Sequence, residues 1–388
     1  MRRCPLDCSV ACGGIDVSVV DDVRAQALEV AAGWSPPDAP ESWQLTAALF
    51  WVIAGHNDLL ARLGELPPDR LPALLASAAI SFLVRRDDPA PLARYFPAPG
   101  EPQPFVDGGF ETAARAFVAT RLDELLELCR GHRYQMNEVA RCTQVALGIA
   151  ATSGPEEGPV ALVDVGTGAG LGLHLDRYRY LVGDQASGPA AAGLRLSCEP
   201  RGWLRPPPAE LPPIAERTGI DVNPVDVGDA DARAWLTACA PPEASALARL
   251  AAAIEVARQN PAPIVAGDVI TALPGVLDSL PPDLPVIVVD AYAAVFLSTD
   301  RRAELTAILA RAASRRPVIW LSLDPLVPLG PEGSDSVQGV ALPRALVSDY
   351  QRHGVFAVLG ARTFGGRWDA GRLLARAHPS GQWMEWLA

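Results

Sequence analysis

The chain is predicted to fold as a doubly wound α/β sheet preceded by an all-helical N-terminal domain, and three observations predict it. From Val19 to about Thr152, apolar residues recur at helical spacing. From Val160 onward, short apolar runs alternate with helical stretches, the pattern of a parallel sheet with crossover helices. Where the two patterns meet, Val160-Ala-Leu-Val-Asp-Val-Gly-Thr-Gly-Ala-Gly-Leu-Gly172 reads as a buried strand running into a glycine turn and a helix.

Taken in order, residues 1–18 are expected to form a flexible tail and 19–155 a helical cap domain. Trp43 to Ile53 continues through Asn57 to Leu63 with helical spacing until Pro67-Pro68 breaks it. Leu71 to Val84 is nearly all apolar, too short to span a bilayer, and reads as a buried helix. After the proline-rich link Pro97 to Pro104, helices are expected over Phe110–Cys129 and, past Gly131, over Tyr134–Ala151. Thr152-Ser-Gly-Pro-Glu-Glu-Gly-Pro159 reads as the boundary to the sheet domain, 156–388. Its strands are expected at Ala161–Val165, Gly219–Val222, Ile264–Ala266, Pro285–Val289, Val318–Leu323 and Val355–Leu359. Between them, Ala230–Cys239 and Ser245–Gln259 read as helices. An insertion over about 178–216 reads as a β-hairpin made of Tyr178–Val182 and Leu194–Cys198. Gly381 to Leu387 reads as a last edge strand.

Composition narrows the chemistry. The formal net charge of −12 argues against nucleic acid or an anionic membrane as the main partner. No run of eighteen apolar residues predicts a transmembrane helix, and the N-terminus lacks the order of a signal peptide, so the expected location is cytoplasmic. All 33 basic residues are arginine, which excludes a Schiff-base lysine, a Walker-type lysine and a lysine general base. Cys4, Cys8 and Cys12 miss the spacing of a radical iron–sulfur motif by one residue and read as reduced thiols in the tail. Cys129, Cys142, Cys198 and Cys239 read as buried small residues. His56, His132, His353 and His378 show no metal-ligand spacing, so no metal is expected, and no GxSxG elbow points to an acyl hydrolase.

The candidate site gathers at predicted strand ends. Gly166, Gly168 and Gly170 allow a tight turn and a close approach of ligand to backbone. Asp164, Asp221 and Asp268 end the first three core strands, where ligands bind in such sheets. The plainer role of such aspartates is to cap the helices that follow. Asp290 and Tyr292 follow the fourth strand, where a partly desolvated carboxylate suits a general base. The two share a side only if the strand reaches Tyr292. On the expected helix from Tyr134, Asn137 and Arg141 share a face, and Glu138 lies one turn from Arg141.

Val163-Asp-Val-Gly-Thr-Gly-Ala-Gly170, Gly219-Ile-Asp221 and Gly267-Asp268 are similar to the first three motifs of class I S-adenosylmethionine-dependent methyltransferases. More closely, the chain resembles the bacterial domain of unknown function 2332 family. The matching stretches are Leu92-Ala-Arg-Tyr-Phe-Pro97, Gln135-Met-Asn-Glu-Val-Ala-Arg-Cys142, Leu175-Asp-Arg-Tyr-Arg-Tyr180, Gly219 to Val227 and Gly267 to Pro274. The resemblance spans roughly residues 70–330. It implies a Rossmann-like, methyltransferase-type sheet, with Asp221 on the ribose and Asp268 on the adenine of S-adenosylmethionine. Gly172, His174 and Asp290 depart from the family's pattern inside the site, which puts a retuned chemistry in view.

Three functions follow as expectations. The first is S-adenosylmethionine-dependent methyl transfer to a small molecule of secondary metabolism, with Asp290 or Glu138 removing the acceptor's proton. The second is a cofactor-independent displacement that closes a ring, as in aziridine formation, with Arg141 holding a sulfate-type leaving group. The third is a binding protein without turnover. A protein partner or a homo-oligomer is compatible with each, and Trp383 and Trp386 are candidates for docking one.

Overall fold

Val160–Val165 (β1) is buried along its whole length, and that is what a central parallel strand covered on both faces requires. The structure, a computed structural model, describes residues 17–36, 39–325, 336–337, 340–353, 356–365 and 369–388. The predicted tail to residue 16, its cysteines 4, 8 and 12, Val355 and the side chain of His353 lie outside the described residues.

The chain divides into two compact units, one of Met1–Pro97 and Gln103–Tyr134, the other of Ala98–Pro102 and Gln135–Ala388. The first contains helices α1 (Val17–Gly33), α2 (Gln44–Ala54), α3 (Asn57–Leu63), α4 (Pro72–Asp87) and α5 (Phe110–Gly131). Leu45, Leu49, Ile53, Leu59, Leu60, Leu75, Ile80 and Phe110 are fully enclosed and form its core. The single helix expected from Trp43 to Leu63 is broken at Gly55-His56. There the His56 Nδ1 accepts from the Leu59 N–H at 3.3 Å and caps α3.

The second unit begins earlier than the 155/156 boundary read from the sequence. The reason is α6 (Arg141–Thr152), buried from Arg141 to Ile149 against the sheet. Gly148 faces the side chains of Leu321 and Leu359 so closely that a Cβ there would lie 3.1 Å from Leu359. The helix is also shorter than expected. Residues 133–139 are not helical, so Asn137 and Glu138 precede α6 instead of sharing a face with Arg141.

The remaining elements are β2 (Arg179–Val182), β3 (Gln185–Ser187), β4 (Arg195–Arg201), β5 (Ile214–Asp221), α7 (Ala230–Cys239), α8 (Ala244–Gln259), β6 (Ile264–Ala266), α9 (Val269–Ser279), β7 (Val286–Ala291), α10 (Thr299–Ala313) and β8 (Val318–Pro325). After them come the short pair β9 (Ser336–Val337) and β10 (Val340–Ala341), then α11 (Arg344–His353), β11 (Ala357–Phe364), β12 (Arg372–Ala377) and β13 (Trp383–Trp386). All but β9 and β10 join one mixed sheet of eleven strands in the order β3-β2-β4-β13-β12-β11-β8-β7-β1-β5-β6. From β8 to β6 the strands are parallel, while β11, β12 and β13 are each antiparallel to the strand before them. Helices cover both faces. One core joins α6 and α8 to Leu162, Ile287, Val289 and Leu321, and the other joins α9 and α10 to Val163, Val286, Val288 and Trp320.

Two sequence expectations change here. Tyr178–Val182 and Leu194–Cys198 do not form a hairpin with each other. β2 runs parallel to β4, and the hairpin partner of β2 is the unpredicted β3, reached through the Gly183-Asp184 turn. The buried faces of β2 and β4, with Tyr180, Val182, Leu196 and Cys198, join the main core, so this segment is part of the sheet. Likewise β13 is not an edge strand, because it pairs with β12 on one side and β4 on the other.

Candidate functional site

Between β1 and β7 the chain order reverses, since β1 is followed outward by β5 and β6 before the chain returns to β7. Crevices at such switch points, beyond the carboxyl ends of the strands, are where open α/β sheets bind ligands. Here Gly166, Gly168 and Gly170 all adopt positive φ, so the turn after β1 needs glycine at each. The expected α-helix does not follow. Leu171–Arg177 is a short 3-10 segment interrupted at His174, so the turn carries no α-helix dipole.

On the α6 face of this switch point lies a cavity of about 80 Å³. Asn137, Glu138, Arg141, Cys142, Asp164 and Thr167 supply its polar lining, and Val145, Leu162 and Val289 are among its apolar walls. Asp164 is the buried acid at its centre. Its Oδ2 accepts from the Thr167 hydroxyl at 2.6 Å. Burial pushes its carboxyl up to about 7, opposed by the Thr167 hydroxyl and reinforced by the carboxylates of Asp221 and Asp290. Gly172 explains itself at this point, because a Cβ there would stand 2.7 Å from Asp164 Oδ2.

Arg141 enters the cavity from the first residue of α6. Its Nε donates to the Pro379 carbonyl at 2.6 Å, and its guanidinium carbon stacks 3.5 Å from the centre of the Tyr292 ring. Glu138 accepts from the Ala140 N–H at 3.0 Å and pairs with Arg249 at 3.4 Å. The Cys142 thiol is pushed up by burial and by the neighbouring Asp164 and Glu138 charges, so it is held as a thiol.

The structure does not bring all the expected residues together. Asp290 alternates with Val289 and faces the opposite side of the sheet from Asp164. It is 1% exposed and accepts from Trp320 Nε1 at 2.6 Å and the Ser322 hydroxyl at 2.9 Å. β7 ends at Ala291, and Tyr292 turns with φ of 64° toward Arg141, so Asp290 and Tyr292 do not share a side. Asp290 therefore does not line the cavity. His174 is also buried away from it, lining instead a groove of about 530 Å³ beside the 224–228 loop. Burial pulls its imidazole down to about 4, with Arg217 adding to the shift. Asp324, two residues beyond Ser322 on β8, was not expected in any role, yet it sits beside Asp290. The period-two run Trp320, Ser322, Asp324 was the available signal.

The carboxylates matched to adenosine are engaged internally. Asp221 accepts from the Gly168 N–H at 2.8 Å and the Asn223 N–H at 2.7 Å. Asp268 caps α9 by accepting from the Ile270 N–H at 3.0 Å, and it pairs with Arg301. The Asn137 amide covers the turn. Its Oδ1 accepts from the Ala169 N–H at 3.2 Å, and a Cβ on Gly168 would stand 2.8 Å from its atoms. With the close approach at Gly168 filled by a side chain, these residues do not fit S-adenosylmethionine in this conformation. Among the described residues no cluster of three or more His, Cys, Asp or Glu side chains is arranged to hold a metal, and no helix is long and apolar enough to cross a membrane.

The model of a family described as "Uncharacterized protein conserved in bacteria (DUF2332)" matches residues 25–386. A search of curated proteins finds no match.

Proposed function

The chain belongs to this bacterial family, and from that premise we propose that it is an enzyme that carries out a proton-coupled displacement at carbon on a small molecule, without S-adenosylmethionine. The observation that carries this reading is Asp164, a buried carboxyl facing the cavity at the switch point of the sheet and poised near neutral pH. A general base works best when its pKa lies near the working pH.

In the step proposed, the ionised Asp164 takes the proton from a substrate amine or hydroxyl. The freed electron pair forms the new bond to a carbon of the same molecule and closes a ring. The leaving group departs as an anion with the pair of the broken bond. Arg141, a fixed cation at the cavity wall, meets that anion, and Asn137 and Glu138 orient the substrate. Tyr292 holds the Arg141 plane from outside the cavity lining.

Methyl transfer from S-adenosylmethionine is the second reading, supported by the parallel strand order β6-β5-β1-β7-β8 and by the motifs at Asp164, Asp221 and Asp268. It requires Asn137 to leave Gly168. Calorimetric titration of the full chain with S-adenosylmethionine, beside an Asp221→Ala control, separates the two. The proposal expects no binding by the folded wild type. Micromolar binding that the control abolishes would replace it with methyl transfer.

A further inference from the structure

On the face of the sheet away from the cavity, two buried acids lie at the carboxyl ends of neighbouring strands. Asp290 and Asp324 are each one residue from the end of their strands, β7 and β8, at 1% and 8% exposure. Ser322 stands between them, its Oγ 2.9 Å from Asp290 Oδ1 and 3.2 Å from Asp324 Oδ2. A hydroxyl has one hydrogen to donate. It serves one carboxylate, and the other contact is a hydrogen bond only if that second acid carries a proton and donates it to Ser322. Asp290 also receives the Trp320 indole N–H at 2.6 Å, so it is the better-solvated anion and Asp324 is the acid.

The same pair fastens a loop. The Ala294 N–H points to Asp290 Oδ1 at 3.4 Å, and the Val295 N–H donates to Asp324 Oδ1 at 3.3 Å. That loop abuts the glycine turn, since a Cβ on Gly166 would stand 2.4 Å from Ala293 Cβ. One residue earlier is Tyr292, on which Arg141 stacks.

We propose that Asp290 and Asp324 share a single proton and form a pH-sensitive latch, which fastens the 292–296 segment against the glycine turn. Removing the shared proton leaves two enclosed carboxylates in contact and no donor between one of them and Ser322. The loop then releases, admitting water to both carboxylates. This inference does not depend on the reaction proposed above.

The surrounding groups support one retained proton. Burial raises both acids, and the charge of Asp290 raises Asp324 further. From α10, Arg302 opposes the rise at Asp324. From β1, Asp164 adds negative charge, and its own carboxyl feels that of Asp290. From β11, Arg362 pairs in register with Trp320 and lays its guanidinium over Phe364, 4.6 Å from the ring centre.

The test is amide hydrogen exchange of the full chain, read at Ala294 and Val295 from pH 6 to pH 9, for wild type and Asp324→Asn. The substitution keeps a donor to Ser322 and removes the ionisation. The latch predicts that the wild-type rate relative to the variant rises with pH, by up to about tenfold per unit below the shared ionisation, and levels off above it. A ratio that stays constant over the range overturns it. Carboxyl-carbon NMR of the wild type stands independently, should the variant fail to fold. The latch requires one of the two acids to titrate above neutrality, and titration of both below neutrality overturns it.

Discussion

The Arg141 guanidinium carbon lies 3.5 Å from the centre of the Tyr292 ring, so a cation at the start of α6 rests on the aromatic that leaves β7. The contact joins two segments that the sequence separates widely, and Arg141 is further fixed by its bond to the Pro379 carbonyl. Arg141→Ala is expected to cost about 2 kcal/mol, from the lost stack and the unpaired carbonyl. Arg141→Lys should recover less than half of it, because an ammonium does not stack as a plane. Urea denaturation of the three proteins checks both values.

Asp164 gives the fold a pH dependence of definite sign. Its carboxyl is pushed up to about 7 in the folded chain, while the unfolded chain returns it to the ordinary carboxylate range. Between those values the folded state holds a proton that the unfolded state has released. Stability from this group therefore falls as pH rises from about 4 to about 7, by at most about 1.4 kcal/mol per unit. Asp164→Asn should flatten that slope. Unfolding free energies at pH 5, 6, 7 and 8 give the comparison.

Gly172→Ala is expected to destabilise by about 1–3 kcal/mol, because its Cβ would stand 2.7 Å from the buried Asp164 Oδ2, whose hydrogen bond to Thr167 limits how far it can move. If that clash is what matters, the double substitution with Asp164→Ala should cost less than the sum of the two singles, and a double-mutant cycle measures the difference.

Asp221 and Asp268, alike in the sequence, are expected to differ in thermal melts. Asp221→Ala strands the buried N–H of Gly168, also unpairs that of the exposed Asn223, and should cost about 1–3 kcal/mol. Asp268→Ala removes a helix cap and a half-exposed ion pair with Arg301, for about 1 kcal/mol.

What could be read from the sequence followed from local rules. The strands at 161–165 and 264–266 and the helices at 230–239 and 245–259 announce themselves by apolar runs and periodicity, and they stand in the structure within a residue or two. The free cysteines Cys129, Cys142, Cys198 and Cys239 are buried as expected. What escaped was set by pairing across long separations. No local signal makes β2 run parallel to β4, or seats β13 inside the sheet. The site shows the same division. Asp164 and Arg141 were visible as candidates, whereas the face each strand-end acid occupies depends on register and on where β7 stops. A backbone reversal at Tyr292, with φ of 64°, put Tyr292 and Asp290 on opposite sides. Nothing in a tyrosine announces that conformation.

The seating of β13 has a consequence for how the chain assembles. Among the described strands, the ladder that hydrogen-bonds β3, β2 and β4 into the rest of the sheet runs through Trp383–Trp386, which pairs with Glu199–Arg201 on one side and Ala375–Ala377 on the other. A ribosome delivers β4 long before it delivers the strand that will sit beside it. During that interval β4 and later β12 present bare edges, the surfaces most prone to pair with a neighbouring chain. The four residues of β13 thus act as the keystone of the sheet: a nascent chain stalled before Trp383 carries two incomplete sheets with their edges open.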